Sequence, residues 1–277
     1  MGFPSDRLPI TRRLTLAYVL SLVIALLIAI ASAAGLFCQS LIYPTGELLQ
    51  TFVPNDVVNL VIGLPALIGS MWFARRGKLT GLLLWPGALF FGVYNYIAYL
   101  FGMPFHVLYL PYLIIVTLSV YTIIALVASI DADAVKQQLS GVVPNRVAGG
   151  VLAGLAILLI LRAIGVMVTA LISETPGAPP DLPVLIADVV GSVAWVFGGI
   201  LLWRRDRLGY VTGLGLLFHG STLFVGLILF LLIQPLMTAA PFSLGDIVVV
   251  SIMGLPCFIP FALFLRGAGS DRSATSE

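Results

Sequence analysis

Long apolar stretches separated by short polar breaks run along the whole chain. About 20 apolar residues in a helix span the roughly 30 Å hydrocarbon core of a bilayer, because a helix rises about 1.5 Å per residue. The pattern predicts eight spans, at Leu14–Phe37, Val57–Phe73, Leu79–Phe101, Val107–Ile130, Val147–Ile172, Val184–Trp203, Tyr210–Ile233 and Asp246–Leu265. We therefore expect an all-α, polytopic bundle of about eight transmembrane helices.

The Lys and Arg residues occupy every second break between these spans. One set of breaks holds Arg7, Arg12, Arg13, Arg75, Arg76, Lys78, Lys136, Arg146, Arg204, Arg205, Arg207, Arg266 and Arg272, and the other set holds none. Cytoplasmic loops of membrane proteins carry the excess of basic residues. The alternation predicts an even number of spans with both termini in the cytoplasm.

A second interpretation exists for the N-terminus. A basic start, an apolar run and Ala31-Ser32-Ala33 are also typical of a cleavable signal peptide. The apolar run has about 24 residues, whereas the apolar region of a signal peptide has about 7 to 15. The first stretch is therefore interpreted as a helix.

Composition agrees with a membrane protein. Of the 277 residues, 60% are hydrophobic and only 9% are charged, whereas about a quarter of a soluble domain is charged. The net charge of +2 gives no concentrated basic face, so we expect no nucleic-acid partner. The two cysteines, Cys38 and Cys257, lack the spacing of metal ligands, so free thiols and no metal are expected.

Helices two and six share an order of features. Asp56 and Asp188 are each followed by two valines, then by Trp72 and Trp203, then by an arginine pair and a tight turn. A tandem duplication of a four-helix unit explains this order, and chance resemblance between apolar helices is the alternative. Because four is even, the two units would share one orientation about an axis along the membrane normal.

The predicted organisation follows from this duplication. Residues 1–130 form the first four-helix unit and residues 147–265 form the second. Residues 131–146 form a cytoplasmic linker that is rich in Asp, Lys and Gln, and residues 266–277 form a disordered cytoplasmic tail.

A set of short motifs is distributed along the chain between Asp56 and Val211. The motifs are Asp56 with Gly63-Leu64-Pro65, Ala74-Arg75-Arg76-Gly77, Leu84-Trp85 with Gly87-Ala88-Leu89, Tyr94-Asn95-Tyr96, Phe101-Gly102, Asp188, Leu202-Trp203-Arg204-Arg205 and Leu208-Gly209-Tyr210-Val211. Their combination resembles a family of bacterial and archaeal polytopic integral membrane proteins that has no assigned activity. The resemblance covers most of the chain, and it implies a common fold and placement in the inner membrane of a prokaryote. It transfers no catalytic residue. It also implies Asn at the position of His106 and often Lys at that of His219, which counts against a mechanism that needs either imidazole.

Polar side chains in the predicted spans are the candidates for function. A charge in hydrocarbon costs at least a few kcal/mol, so it normally faces the bundle interior, a water-filled cavity or another charge. The candidates for ligand or ion binding are Asp56, Asn59, Asn95, Arg162, Asp188 and His219. No catalytic residue can be named, and the absence of a P-loop, HExxH or GxSxG motif predicts no cofactor.

We expect Asp56 and Asp188 in the same outer layer of the membrane. If Trp72 and Trp203 mark the inner interface, each carboxylate lies roughly 22 to 24 Å further out along its helix. Arg162 is expected to pair with Asp188 in a structural ion pair, and the alternative is that Arg162 holds an anionic group of a substrate.

The remaining candidates have structural alternatives too. His219, near the middle of helix seven, either ties helices together by a hydrogen bond or takes part in proton transfer or ligand binding. Asn59 and Asn95 either link helices two and three or line an outward-facing pocket with the charged residues. The tyrosines near them, Tyr94, Tyr96, Tyr99, Tyr109 and Tyr112, are interpreted largely as an aromatic belt at the headgroups.

Two further patterns describe helix ends and packing. Ser243-Leu244-Gly245-Asp246 is typical of a helix start with an acidic first turn, which explains Asp246 without a ligand. Gly150 and Gly154 form a GxxxG pattern that predicts close helix packing.

Three functions are compatible with these patterns. The first is binding or transport of a small molecule or an ion through the polar cluster in the outer half of the bundle. The second is an intramembrane enzyme that acts on a lipid-type substrate with a carboxylate and His219, and the third is a structural or assembly subunit. The expected partners are the lipid bilayer and a small-molecule or ion ligand, and the sequence predicts no oligomeric state.

Overall fold

The computed structural model of the protein describes residues 8–172 and 182–269. These residues form ten helices: α1 (Thr15–Phe37), α2 (Gln39–Ile42), α3 (Gly46–Arg75), α4 (Leu79–Gly102), α5 (Tyr109–Ser129), α6 (Ala132–Leu139), α7 (Asn145–Ile172), α8 (Leu182–Trp203), α9 (Arg207–Met237) and α10 (Leu244–Gly269). Arg7, Arg272, most of the outer loop after α7 and most of the predicted C-terminal tail lie outside the described residues.

The all-α, polytopic fold is confirmed. Eight helices are long and apolar enough to cross a membrane, and within the described ranges the chain forms no strand. Seven of the eight begin and end within four residues of the predicted bounds. The protein is therefore a multi-pass integral membrane protein.

The predicted start of the second span is wrong, because α3 begins eleven residues earlier, at Gly46. Thr45 caps the helix by accepting a hydrogen bond from Leu48 N at 3.3 Å. Pro54 lies inside α3 and cannot donate to the carbonyl of Gln50, four residues before it. Gln234 of α9 donates to that carbonyl instead, at 3.1 Å. Because the Gln234 side chain bonds to the carbonyl that Pro54 cannot reach, α3 continues through the proline.

The basic segments lie together at one end of the bundle, which we call the basic end. The chain before α1 meets the end of α5, where Thr11 N donates to Ser129 O. Arg207, at the start of α9, pairs with Asp133 of α6 at 3.0 Å. A Cβ on Gly267, near the end of α10, would touch Val143. The separation of basic and non-basic loops is as predicted, and the assignment of the basic end to the cytoplasm stays a prediction.

Helices α4 and α9 form the centre of the bundle. In the first half α4 packs against α3 and α5, and α1 packs against the same two helices; in the second half α9 packs against α8 and α10, and α7 packs against those two. The halves meet where α4 contacts α8 and α9 and where α9 contacts α3. This arrangement is the one that a two-fold axis between α4 and α9 would generate, and the duplication itself stays a prediction.

Glycines permit the closest helix contacts. A Cβ on Gly87 of α4 would overlap the carbonyl oxygen of Gly215 of α9, so the two backbones touch there. Gly149 of α7 and Gly199 of α8 make a similar contact, with each hypothetical Cβ less than 3 Å from the other glycine's carbonyl oxygen. Gly154 meets no atom within 4 Å, so the predicted GxxxG contact is wrong at this residue; the glycines of α7 that pack against α8 are Gly149 and Gly150.

We predict that Gly87→Ala destabilises the protein by about 1 to 3 kcal/mol, because the added methyl group forces two central backbones apart. Gly69→Ala in α3 is the matched control. A Cβ at Gly69 meets nothing within 4 Å, and alanine favours a helix by up to about 1 kcal/mol over glycine. Thermal unfolding of both variants in detergent measures the difference; equal midpoints would contradict the close α4–α9 contact.

Candidate functional site

Two buried carboxylates lie on different sides of α4. Asp56 of α3 is 1% exposed and Asp188 of α8 is 4% exposed. Tyr99 of α4 donates to Asp56 Oδ1 at 2.8 Å, and Tyr94 of the same helix donates to Asp188 Oδ1 at 2.8 Å. The central helix therefore supplies one hydroxyl group to each carboxylate.

Both carboxylate oxygens of Asp56 accept hydrogen bonds from tyrosine hydroxyl groups. In addition to the bond from Tyr99, Tyr43 donates to Asp56 Oδ2 at 2.5 Å. Asn59, one helical turn further along α3, donates to the hydroxyl of Tyr99 at 3.5 Å. A Cβ on Gly35 of α1 would overlap Asp56 Oδ2. Glycine at this position therefore leaves the space in which the carboxylate lies.

A cluster of buried tyrosines surrounds this carboxylate. The rings of Tyr96, Tyr99 and Tyr112 lie with centroids between 5.1 and 5.5 Å apart, and each of the three is at most 1% exposed. The interpretation of these three as an aromatic belt is wrong, because they point into the bundle. The hydroxyl of Tyr112 has no hydrogen-bond partner among the described residues. Together with Tyr43 they form what we call the tyrosine cluster.

Asp56 forms no ion pair with any of the described residues. Arg162 pairs with Asp188, and Arg207 pairs with Asp133 at the basic end. The hydrogen-bond donors at Asp56 are neutral hydroxyl groups, those of Tyr43 and Tyr99 and, beside them, that of Ser32. A buried carboxylate with neutral partners is an uncommon arrangement, since a buried charge is normally paired.

The helix that carries Asp56 changes its winding three residues after it. Residues Asn59–Gly63 form a π-helical turn, in which Leu64 N donates to Asn59 O. Pro65 follows directly and lacks the N–H group that an α-helix requires. Such π turns occur frequently at functional sites.

A small cavity adjoins this π turn. Its volume is about 10 Å³, and Asn59, Gly63, Phe91 and Gly92 are among the residues that line it, together with Ile24 and Ile28 of α1. This volume is about the minimum that holds one water molecule. Asn59 thus bonds to the tyrosine that donates to Asp56 and also lines a space of the size of one water.

Asp188 has a charged partner. Arg162 Nη1 of α7 lies 2.9 Å from Asp188 Oδ2, which confirms the predicted ion pair. The Arg162 side chain is 45% exposed and that of Asp188 is 6% exposed. The pair therefore places its carboxylate inside the bundle and extends its guanidinium toward the surface, as a long basic side chain does in a membrane.

His219 of α9 lies on the same side of α4 as Asp188. Trp195 Nε1 of α8 donates to His219 Nδ1 at 2.9 Å, so the imidazole is neutral and carries its proton on Nε2. The rings of Phe90 and Tyr94 contact the imidazole, with centroids 4.4 and 5.9 Å away. His219 is fully buried, and its Nε2 has no partner among the described residues.

Five of the six candidate binding residues therefore form two groups, and the sixth, Asn95, belongs to neither. Asp56 and Asn59 share the tyrosine cluster, while Arg162, Asp188 and His219 meet around Tyr94. Asn95 belongs to neither group, because its Nδ2 donates to Phe91 O of its own helix at 3.0 Å. The link between helices two and three is therefore correct for Asn59 and wrong for Asn95.

Sequence analysis did not identify Tyr43, Tyr94 and Tyr99 as partners of the carboxylates. A signal was present, since Asp56 lies at the edge of one predicted span and Asp188 inside another, while the predicted spans hold only one basic residue, Arg162. At least one carboxylate had to take its partners from neutral donors. Tyrosine is the donor that also contributes apolar packing.

Near the ends of the spans, two polar residues have local roles. Ser243 Oγ accepts a hydrogen bond from Asp246 N at 3.3 Å, so the interpretation of Asp246 as part of a helix start is confirmed. His106, in the loop between α4 and α5, accepts from Leu108 N through Nδ1 at 3.3 Å. Partial burial lowers the pKa of His106 below its usual value.

Comparison with known proteins does not assign the chain to a family. No family model matches the chain, and neither the curated proteins nor the solved structures include a match. The resemblance to a family of bacterial and archaeal membrane proteins therefore stays a prediction, and the function rests on the geometry of the site.

We predict that Arg162→Gln lowers the stability of the protein, because it leaves the buried Asp188 carboxylate without its cation. Asp188→Asn in the same chain should recover part of the loss, with a coupling energy of about 1 to 3 kcal/mol in a double-mutant cycle. Unfolding in detergent measures the four variants.

The Arg207–Asp133 pair supplies the control for this cycle. Its side chains are 60% and 67% exposed, so its coupling energy should not exceed about 1 kcal/mol. A coupling energy for Arg162 and Asp188 as small as the control value would show that the buried pair contributes no specific stability.

Proposed function

We propose that the protein binds a monovalent cation or a proton at Asp56 and moves it across the membrane. The observation that carries the proposal is the buried Asp56 carboxylate, whose two oxygens accept hydrogen bonds from Tyr43 and Tyr99 and which has no ion pair among the described residues.

The cost of an isolated charge supports this proposal. An ionised carboxylate in the interior of a membrane protein costs several kcal/mol unless a proton or a cation neutralises it. Two hydrogen bonds to a charged group each contribute about 1.5 to 3 kcal/mol, which lowers this cost without removing the charge. Asp56 therefore requires a positive species that is not a side chain of the described residues.

The ligand set favours a monovalent species. The oxygens close to the site are those of the Asp56 carboxylate, the Tyr43 and Tyr99 hydroxyl groups and the Phe52 carbonyl, which lies 3.3 Å from Tyr99 Oη. Oxygen ligands suit hard cations. A single carboxylate balances one positive charge. The described residues contain no group of three His, Cys, Asp or Glu that would hold a transition metal.

The second carboxylate offers a comparison within the same chain. Asp188 also accepts from a tyrosine of α4, but its second oxygen contacts the fixed guanidinium of Arg162. In this interpretation the guanidinium of Arg162 is the cation that neutralises Asp188. At Asp56 an exchangeable cation or a proton from solution would neutralise the carboxylate instead. The ion pair then keeps the second half rigid.

The π turn supports movement as well as binding. It begins three residues after Asp56, and the cavity beside Asn59 has room for about one water molecule. A shift of the π turn along α3 would change the neighbours of the carboxylate without unfolding the helix. We infer that this segment is where access to Asp56 changes.

A structural or assembly role is the second candidate. The cavity beside Asn59 is small, and the close glycine contact between α4 and α9 indicates dense packing at the centre. In this case Asp56 is permanently protonated and only packs helices. The intramembrane enzyme has less support, because Tyr94 lies between Asp188 and His219 and acid–base partners must reach one reacting group.

We predict that Asp56→Asn abolishes cation-dependent behaviour without unfolding the protein, because asparagine resembles a protonated aspartate in shape and can bond to both tyrosines. The purified wild-type protein should melt at a higher temperature when the bound cation is in excess; at about 100 times the dissociation constant, stabilisation is about 2.7 kcal/mol. Thermal unfolding in Na⁺, K⁺ and a large organic cation measures this response.

Flux into proteoliposomes then separates transport from binding. Wild-type protein should change the internal pH or alkali cation content under an imposed gradient, and Asp56→Asn should not. Asp246→Asn is the matched control, because Asp246 lies in the exposed first turn of α10. Wild-type and Asp56→Asn proteins that behave identically in both assays would reject the proposal and favour the structural role.

A further inference from the structure

A groove runs between α7 and α8 near the basic end of the bundle. Its volume is about 250 Å³, and its lining residues are Gly149, Ala153, Gly199, Ile200, Trp203 and Arg204. All of these residues except Arg204 are apolar or lack a side chain. The groove has no residue in common with the Asp56 site.

Glycines form the floor of the groove. Gly149 and Gly199 bring the two backbones into contact, so no side chain fills the space above them. The ring of Trp203 packs over Gly150, where a Cβ would lie 2.7 Å from the ring. Trp203 is 53% exposed and marks the level of the headgroups, as tryptophan does in membrane proteins. The groove therefore extends from the headgroup level into the apolar part of the bundle surface.

Hydrogen-bond donors and positive charge lie at only one end of the groove. Arg204 lines this end, and it forms no ion pair among the described residues. The first turn of α7, which begins at Asn145, lies one helical turn before Gly149 at the same end of the groove. The exposed Arg146 follows Asn145. The beginning of α7 is also a helix N-terminus, which attracts anions.

We propose that this groove binds an anionic phospholipid. An acyl chain lies along Ala153, Gly199 and Ile200, and the phosphate group lies at the end that Arg204 lines. Basic pockets between transmembrane helices bind anionic headgroups in this way. The floor is apolar and the donors are confined to one end, so the groove fits an amphipathic lipid better than a small polar solute.

The first half of the chain lacks this arrangement at the corresponding turn. Trp72 also precedes an arginine pair, but Arg76 lies over the Trp72 ring, with its guanidinium carbon 3.7 Å from the ring centroid. That guanidinium is occupied by a cation–π contact. In the second half the tryptophan ring packs on Gly150 instead, which leaves Arg204 at the groove.

Native mass spectrometry of the detergent-purified protein tests the proposal. Phosphatidylglycerol and phosphatidylcholine with identical acyl chains are the probes, and inorganic phosphate is the headgroup alone. Wild-type protein should retain phosphatidylglycerol more tightly than phosphatidylcholine. Arg204→Gln should weaken phosphatidylglycerol binding about fivefold, since one basic residue near the surface contributes about that factor, and should leave phosphatidylcholine binding unchanged.

Substitution of the groove itself gives a second measurement. Ala153→Phe should weaken binding of both lipids, because the ring fills the space of the acyl chain. Gly154→Phe and Arg76→Gln are the matched controls: Gly154 faces open space on the same helix, and Arg76 holds its own tryptophan. Both should bind like wild type. Thermal unfolding establishes that each variant is folded, and Arg204→Gln, at an exposed position, carries the test if Ala153→Phe does not fold.

Three results would overturn the proposal. Equal retention of the two lipids by wild-type protein would remove the role of the headgroup charge. Unchanged phosphatidylglycerol binding in folded Arg204→Gln would place the lipid elsewhere. Displacement of phosphatidylglycerol by millimolar inorganic phosphate would show that the acyl chain contributes nothing and that the site binds a free anion.

Discussion

The hydrocarbon core of a membrane offers no hydrogen bonds, so every polar group in a span must find its partner inside the protein. This constraint explains the arrangement around α4. The buried carboxylates of Asp56 and Asp188 lie on different neighbouring helices, and both reach hydroxyl groups of this one helix, Tyr99 and Tyr94. Because α4 is central, it holds α3 and α8 in place through polar contacts as well as through packing. A shift of α4 would therefore disturb both carboxylates at once.

Close backbone contact sets the distances at which these hydrogen bonds form. Gly87 and Gly215 allow α4 and α9 to touch at the centre of the bundle, and small residues permit the approach that side chains would prevent. The position of α9 matters in turn for α3. Gln234 of α9 satisfies the carbonyl of Gln50 that Pro54 leaves free, which extends α3 beyond Asp56. The carboxylate consequently lies within a helix and not at its end.

Much of the fold could be predicted from sequence, because hydrocarbon selects long apolar helices and loop charge separates the two ends. The start of α3 could not, since Pro54 and the polar residues beside it are typical of a loop and the compensating Gln234 is far away in sequence. The Arg162–Asp188 pair was predictable because only one basic residue lies in a span. The buried tyrosines were not, because a tyrosine at a helix end is equally typical of the headgroup region.

The count of charges connects the fold with the proposed function. The described spans enclose two buried carboxylates, Asp56 and Asp188, and one arginine that reaches either of them, Arg162. His219 adds no positive charge, since Trp195 donates to its Nδ1 atom and the imidazole is neutral. A membrane penalises net charge more strongly than a satisfied dipole. One neutralising cation is thus part of the chain and fixed in place. In the function that we propose, the other comes from solution, and a species that comes from solution can also return to it.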